Sequence, residues 1–147
     1  MKGAELDEWF SSRDLEHNFP HLIPFLSRGM DVLDVGCGPG TVTVGTARTV
    51  QPGTTTGMDA SPDMIRMARE AADASGLDNI HLIEASAYEL PFADDSFDLT
   101  YTRDVMHFLA DPVRALEEQQ RVTKPGGRVL AFAVDWGTMV THPDLPT

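Results

Sequence analysis

Residues 31–43, DVLDVGCGPGTVT, decide the fold of this chain. The first five are an apolar run with an acid inside it, the pattern of a strand buried in a parallel sheet. Gly36, Gly38 and Gly40 form a glycine-rich turn, and the small and β-branched segment 41–50 is typical of a helix packed on that sheet. This order places bare backbone and a helix N-terminus at the carboxyl edge of the sheet, where open α/β folds bind ligands.

The spacing of the glycines indicates which ligand the turn accepts. A dinucleotide-binding turn follows G-x-G-x-x-G, whereas here Gly40 comes one residue early and Thr41 takes the place of the last glycine. Asp34 lies two residues before the first glycine. Its charge would repel a pyrophosphate and would suit an ammonium group and a positive sulfur. The turn therefore favours S-adenosylmethionine over a dinucleotide, and a plain glycine turn that binds nothing is the alternative.

Four segments of residues 12–135 resemble the class I S-adenosylmethionine-dependent methyltransferases, particularly the small-molecule branch with ubiquinone- and menaquinone-type enzymes. The resemblance implies an α/β fold with a three-layer, Rossmann-like, doubly wound sheet of five parallel strands in the order 3-2-1-4-5. It also implies that the glycine turn contacts the cofactor. The segments are VLDVGCGPGTVT (32–43), GMDASPDMIRMAR (57–69), LPFADDSFDL (90–99) and RVTKPGGRVL (121–130).

The second strand is predicted at 54–58 and leads to Asp59, about 20 residues past the turn, where a carboxylate receives both ribose hydroxyls of an adenosine. Asp59 could instead cap the next helix, but Ser61 followed by Pro62 fits that role better. Met64, one helical turn later, would face the adenine. The predicted cofactor contacts in this half of the chain are Asp34, Gly36, Cys37, Gly38, Gly40, Asp59, Ala60 and Met64.

The third strand is predicted at 79–84, and the segment after it is expected to contact the adenine. Ser86 stands where the family commonly has an acid that accepts a hydrogen bond from the adenine amino group. The resemblance therefore implies a hydroxyl acceptor that lacks the charge-assisted part. The Ala87 backbone N–H would meet adenine N1, and Tyr88 is either a lid over the adenine or a core residue.

The fourth strand, predicted at 97–102, lies beside the first, where a 3-2-1-4-5 sheet reverses direction. The resemblance places the backbone around Thr102 and Arg103 against the methionine end of the cofactor. His107 is the candidate catalytic group facing the substrate, and a hydrogen-bonded core histidine is the alternative. The sequence has no Ser-His-Asp set, metal-ligand spacing or P-loop, so we predict no metal.

The chain is predicted to divide into a helical lead-in (1–30), a cofactor-binding domain (31–135) and an irregular tail (136–147). In the lead-in, Arg13 is either part of a solvated helix face or the partner of the cofactor carboxylate. The family's sixth and seventh strands have no counterpart in the sequence, so the expectation is a fragment. Its fifth strand, 128–134, would present an open edge to a second copy of the chain.

Composition restricts the partners. The 147 residues carry a formal net charge of −12, which argues against a nucleic-acid backbone or an anionic membrane as partner. Cys37 is the single cysteine, which excludes an internal disulfide framework and fits a cytoplasmic location.

The expected function is methyl transfer to a small-molecule acceptor by in-line displacement. A cofactor-binding module that does not catalyse and a nicotinamide-dependent oxidoreductase are the alternatives.

Overall fold

The structure, a computed structural model of the chain, describes residues 14–133, with the side chain of Asn18 left aside. Strands and helices follow one another as a doubly wound α/β fold requires. The strands are β1 (Val32–Val35), β2 (Thr55–Asp59), β3 (Ile80–Glu84), β4 (Phe97–Arg103) and β5 (Thr123–Phe132). The helices are α1 (Leu15–Asn18), α2 (Thr41–Val50), α3 (Pro62–Ser75) and α4 (Pro112–Val122), with 3₁₀ turns at Pro20–Phe25 and Met106–Phe108.

The five strands form one parallel sheet in the order β3-β2-β1-β4-β5, which confirms the predicted order 3-2-1-4-5. Val35 pairs with both Met58 and Thr102, so β1, β2 and β4 end at the same level. The residues that follow these pairs, Asp59 on β2 and Arg103 on β4, therefore meet the glycine turn at one edge of the sheet.

Local capping signals set the helix bounds as predicted. The Ser61 side chain accepts a hydrogen bond from the Met64 N–H at the start of α3, and Gly76 ends that helix in the left-handed conformation. Asp111 caps α4 in the same way, by accepting from the Arg114 N–H. These signals act within a few residues of the helix end, so the sequence alone is enough to place them.

The start of β5 differs from its prediction. Thr123 already pairs with Phe97, and the next pair along the ladder joins Arg128 to Leu99. Residues 124–127 therefore bulge out of the strand, with Gly126 at φ +81°, whereas the strand predicted at 128–134 begins only after them. Within residues 14–133, β5 has a single neighbouring strand, β4. The predicted open edge thus has no neighbouring strand among the described residues, and Val134 lies outside them.

Helices cover both faces of the sheet, which confirms the three layers. On one face, Leu15, Phe19 and Leu22 of the lead-in are buried together with Val32 and Tyr101. The described part of the lead-in therefore shares the core of the sheet, and packing shows no boundary at residue 30. On the opposite face, residues of β1, β2, β4 and α4 form a second cluster. Between residues 14 and 133, no helix is both long enough and apolar enough to cross a membrane.

Candidate functional site

A cavity of about 440 Å³ opens at the carboxyl edge of the sheet, within the size range of small-molecule sites. The turn after β1 supplies one side, and the ends of β2, β3 and β4 with their following loops supply the others. The lining residues are Gly36, Gly38, Pro39, Met58, Asp59, Ala60, Ser61, Met64, Ala85, Ser86, Ala87, Tyr88, Arg103, Asp104, Val105, Phe108 and Leu109.

Asp59 joins the glycine turn to the start of α3 at the cavity wall. Its Oδ2 accepts a hydrogen bond from the Gly38 N–H at 3.0 Å, and its Oδ1 accepts from the Ser61 N–H at 2.9 Å. An ionised carboxylate has about four acceptor sites, so each oxygen retains capacity for one more donor. This arrangement fits the paired hydroxyls of a ribose.

Two glycines of the turn are required for different reasons. Gly36 lines the cavity at φ +78°, and a Cβ there would overlap the Val105 side chain. Gly40 does not line the cavity. At φ +81°, its place is the N-cap of α2, where a Cβ would lie 2.8 Å from the Cβ of Ala68 on α3. Gly40 therefore allows two helices to pack closely, and this residue, predicted as a cofactor contact, lies outside the cavity lining.

Asp34 is not where the sequence interpretation put it. Its side chain shares the face of β1 that carries Val32 and is covered by α2, because strand side chains alternate between faces. Asp34 is only 3% exposed. Its Oδ2 accepts hydrogen bonds from the hydroxyls of Thr43 at 2.8 Å and Tyr101 at 2.7 Å. Burial raises the pKa of the Asp34 carboxyl, and the two hydrogen bonds offset part of that rise. Asp34 joins β1, α2 and β4 and does not line the cavity.

Three further predicted residues lie away from the lining. The Cys37 side chain is buried with Ile65, and burial raises the pKa of its thiol. The Thr102 side chain is fully buried on the α4 side of the sheet, because the opposite face of β4 carries Tyr101. His107 is exposed in a 3₁₀ turn, whose residues point about 120° apart. Phe108 therefore lines the cavity and His107 does not.

The remaining predicted cofactor residues all line the cavity: Gly36, Gly38, Asp59, Ala60, Met64, Ser86, Ala87, Tyr88 and Arg103. The sequence does not decide whether Tyr88 is a lid over the adenine or a core residue. In the structure its half-buried side chain forms part of the cavity wall. The Ser86 Oγ accepts a hydrogen bond from the Tyr88 N–H at 3.2 Å. It keeps a second lone pair for the predicted adenine contact.

Several lining residues were not among the predicted contacts. Four of the eight follow β4, where Asp104 has φ +56° and its N–H donates to the Phe132 carbonyl. This left-handed residue turns the chain so that the apolar stretch after it faces the cavity. The apolar character of this stretch is visible in the sequence, but the direction in which the chain turns after Asp104 is not. The residues are Pro39, Met58, Ser61, Ala85, Asp104, Val105, Phe108 and Leu109.

The charges of the lining fit a sulfonium nucleoside better than a diphosphate. Among the described lining residues, Asp59 and Asp104 are acidic and Arg103 is basic. A diphosphate would meet more negative than positive charge at this wall. Nor do residues 14–133 bring three His, Cys, Asp or Glu side chains together as a metal site.

A family model described as "Methyltransferase domain" matches residues 33–131. The chain belongs to this family. An uncharacterized methyltransferase of Schizosaccharomyces pombe is 36% identical over 146 residues, covering 95% of this chain and 51% of that protein. The demethylmenaquinone methyltransferase of Geobacillus stearothermophilus is 38% identical over 115 residues, which are 78% of this chain and 49% of the enzyme. The chain thus spans about half the length of these curated relatives.

Solved structures agree with the family match. The crystal structure of a SAM-dependent methyltransferase from Aquifex aeolicus superposes with a TM-score of 0.74 at 28% identity, covering 85% of this chain and 69% of that chain. The family, the sheet order and the cavity together identify a class I methyltransferase domain. Its cofactor is S-adenosylmethionine.

Proposed function

We propose that this domain transfers a methyl group from S-adenosylmethionine to a small-molecule acceptor by in-line displacement. The observation that carries the proposal is the Asp59 carboxylate, held at the cavity wall by the N–H groups of Gly38 and Ser61. When bound, S-adenosylmethionine supplies a methyl group on a positive sulfur, and the sulfur becomes a neutral thioether once a nucleophile has taken the methyl.

The chain's own residues supply binding and orientation. Asp59 receives the ribose hydroxyls, while the Ser86 hydroxyl and the Ala87 N–H receive the adenine edge. Met64 lies on the same wall as Asp59, suited to pack on the adenine face. The bare backbone of the glycine turn and the backbone near Arg103 are proposed to receive the methionine end. The Arg13 hypothesis concerns a residue outside the described part of the chain.

The side of the cavity formed by the loop after β4 is suited to an uncharged acceptor. Val105, Phe108 and Leu109 line it with apolar side chains, and Phe108 is 80% exposed. An apolar wall excludes water and holds the acceptor in line with the methyl group, and such positioning is worth up to about 7–11 kcal/mol in ideal cases. A general base is needed only for an acceptor that must lose a proton, and the proposal assigns none.

Binding measurements test the cofactor part of this proposal. Titration calorimetry of the 147-residue chain is expected to show binding of S-adenosylmethionine and S-adenosylhomocysteine and none of NADH. Tight NADH binding without affinity for the methyl donor would instead support a nicotinamide-dependent oxidoreductase and contradict the proposal.

Turnover separates an enzyme from a cofactor-binding module that does not catalyse, the second candidate. Formation of S-adenosylhomocysteine with a panel of phenols, amines and quinone precursors is expected for the enzyme. Cofactor binding without turnover on any acceptor of the panel would favour the module.

We also propose a cytoplasmic protein that associates with itself through the outer edge of β5. The single buried cysteine, Cys37, and the net charge of −12 support the location and the absence of nucleic acid among the partners. The lack of a second neighbour for β5 within residues 14–133 supports self-association.

A further inference from the structure

Tyr88 links two walls of the cavity that are distant in sequence. The adenine-side wall is residues 85–88, after β3, and the acceptor-side wall is residues 103–109, after β4. The Tyr88 hydroxyl oxygen accepts hydrogen bonds from the Ala110 N–H at 2.9 Å and the Asp111 N–H at 3.3 Å. The phenol therefore reaches from one wall to the backbone at the end of the other.

The two N–H groups that donate hydrogen bonds to the Tyr88 hydroxyl oxygen lie just before helix α4. Asp111 is the N-cap of α4 and Pro112 its first residue, so the N–H groups of Ala110 and Asp111 precede the helical hydrogen-bond ladder. Backbone donors in such a position have no partner within the helix, and because Ala110 and Asp111 are exposed, water is the acceptor that would replace Tyr88. Tyr88 serves both with one oxygen, and a phenylalanine ring at this position would leave both without it.

The Tyr88 side chain is itself held from several directions. Its backbone N–H donates to the Ser86 Oγ, and the Arg114 guanidinium lies 5.6 Å from the centre of its ring. A cation at that distance from an aromatic face is attracted to it. Tyr88 is thus anchored on the adenine side, and its ring is also contacted by α4.

We propose that Tyr88 is a positioning residue that sets the separation of the two walls and thereby the lifetime of the bound cofactor. Leu109, which lines the cavity, directly precedes the first backbone group that Tyr88 holds. Loss of the hydroxyl frees this end of the acceptor-side wall, while the ring can still line the cavity. The inference rests on the proposed cofactor binding and adds a residue that controls it.

Amide hydrogen exchange in the unliganded protein tests the contact directly. In the Tyr88→Phe variant, we expect the amides of Ala110 and Asp111 to exchange about tenfold faster, because two neutral hydrogen bonds are lost. The Leu90 amide donates to the Glu118 carboxylate and should keep its wild-type rate. Unchanged exchange at both Ala110 and Asp111 would overturn the inference.

Cofactor dissociation tests the consequence. We expect S-adenosylhomocysteine to leave the Tyr88→Phe variant about tenfold faster than wild type in displacement experiments, since the same two hydrogen bonds are missing. Arg114→Met, which removes the contact on the ring and keeps the hydroxyl, should give a smaller increase. Faster amide exchange with an unchanged dissociation rate would mean that the contact is only structural, and would overturn the proposal.

Tyr101→Phe is the matched control, because it removes the same atom from the chain's other tyrosine. That hydroxyl donates to the buried Asp34, so the variant should lose thermal stability and keep wild-type exchange at Ala110 and Asp111. Wild-type protein that binds no S-adenosylhomocysteine would overturn the proposed function and this inference with it. Wild-type protein that binds it, with no change in Tyr88→Phe, would overturn this inference alone.

Discussion

Two carboxylates at the ends of neighbouring strands have opposite environments. Asp59 lies at the cavity wall with two backbone N–H donors and capacity for more. Asp34 is buried beneath the glycine turn with two hydroxyl donors. Asp59 is therefore the acid that can contact a ligand. Asp34 affects the stability of the fold, because a buried carboxylate is more costly when charged than when neutral.

Replacement of Asp59 by asparagine should weaken the cofactor site. Asp59→Asn keeps the size of the side chain but loses the charge and one acceptor oxygen. We expect the Kd for S-adenosylmethionine to rise about ten- to hundredfold, because hydrogen bonds to charged groups contribute about 1.5–3 kcal/mol. Asp73→Asn, an exposed change on α3, should leave the Kd unaltered in the same calorimetric titration. Equal affinities for both variants would contradict the ribose assignment.

The raised pKa of Asp34 predicts a pH dependence of stability. Between about 3.9, the usual pKa of an aspartate, and its raised value in the folded state, the native protein binds more protons than the unfolded chain. Wild-type stability due to this residue therefore falls as pH rises through that window. Asp34→Asn cannot titrate, so urea unfolding should show the variant gaining on wild type as pH rises. A difference that stays constant with pH would refute this.

Close packing of the elements around the cavity depends on Gly40. The N-cap of α2 lies against Ala68 of α3, so the two helices meet with no room for a side chain at that point. The Glu118–Arg121 pair of α4 makes a similar connection on the other face of the sheet. It holds the backbone of Leu90 and Phe92 by hydrogen bonds.

Alanine at position 40, the N-cap of α2, should destabilise the protein more than alanine at position 76, the C-cap of α3. We expect Gly40→Ala to lower the free energy of unfolding by about 2–5 kcal/mol, from the left-handed backbone and from overlap with Ala68. Gly76→Ala has a similar φ of +70° but open space around its Cβ, and should cost about 1–2 kcal/mol. Urea unfolding measures both, and equal costs would show that the overlap is relieved.

Glu118 should stabilise the protein in a pH-dependent way. The hydrogen bond from Arg121 lowers the pKa of the Glu118 carboxyl to about 2. A depressed pKa contributes stability above the unfolded value, about 4.3, and that stability is lost as pH falls through the folded value. Glu118→Gln should therefore destabilise at neutral pH and less so near pH 2. The exposed Glu117→Gln is the control, and thermal unfolding that finds the two variants alike would contradict the prediction.

At the scale of the whole molecule, the cavity exists because four strands end at one edge of the sheet. β1, β2, β3 and β4 each deliver a loop to it, and no two of these loops alone enclose it. β5 adds no lining residue. Its outer edge has no neighbouring strand within residues 14–133.

Self-association through β5 predicts a concentration-dependent mass. Sedimentation velocity should show a dimer for wild type and a shift toward monomer for Ala131→Lys, which places a charge on the exposed edge strand. Ala74→Lys adds the same charge to an exposed position of α3 and should leave the dimer intact. A wild-type protein that stays monomeric at high concentration would rule out this interface.

The sequence by itself determined the elements, the sheet order and most of the cofactor wall. Caps such as Ser61 and Asp111 act on neighbouring backbone groups, so their effect is local. Asp59 was predicted from its place at the end of a strand, and Ser86 and Arg103 from the resemblance. Parallel strands bring all three to one edge of the sheet. The sequence did not predict that β5 begins at Thr123, before the bulge at 124–127, because that start depends on pairing with β4.

Only the tertiary structure decided which way side chains face and which distant residues meet. The partner of Asp34, Tyr101, lies 67 positions along the chain. Tyr88 reaches Ala110 across the cavity, and no local pattern encodes either contact. Such contacts depend on strand register and helix packing, where a shift of one residue reverses the face of every side chain on a strand. The folded sheet therefore turned Asp34 inward, placed His107 outside the cavity and brought Tyr88 to the start of α4.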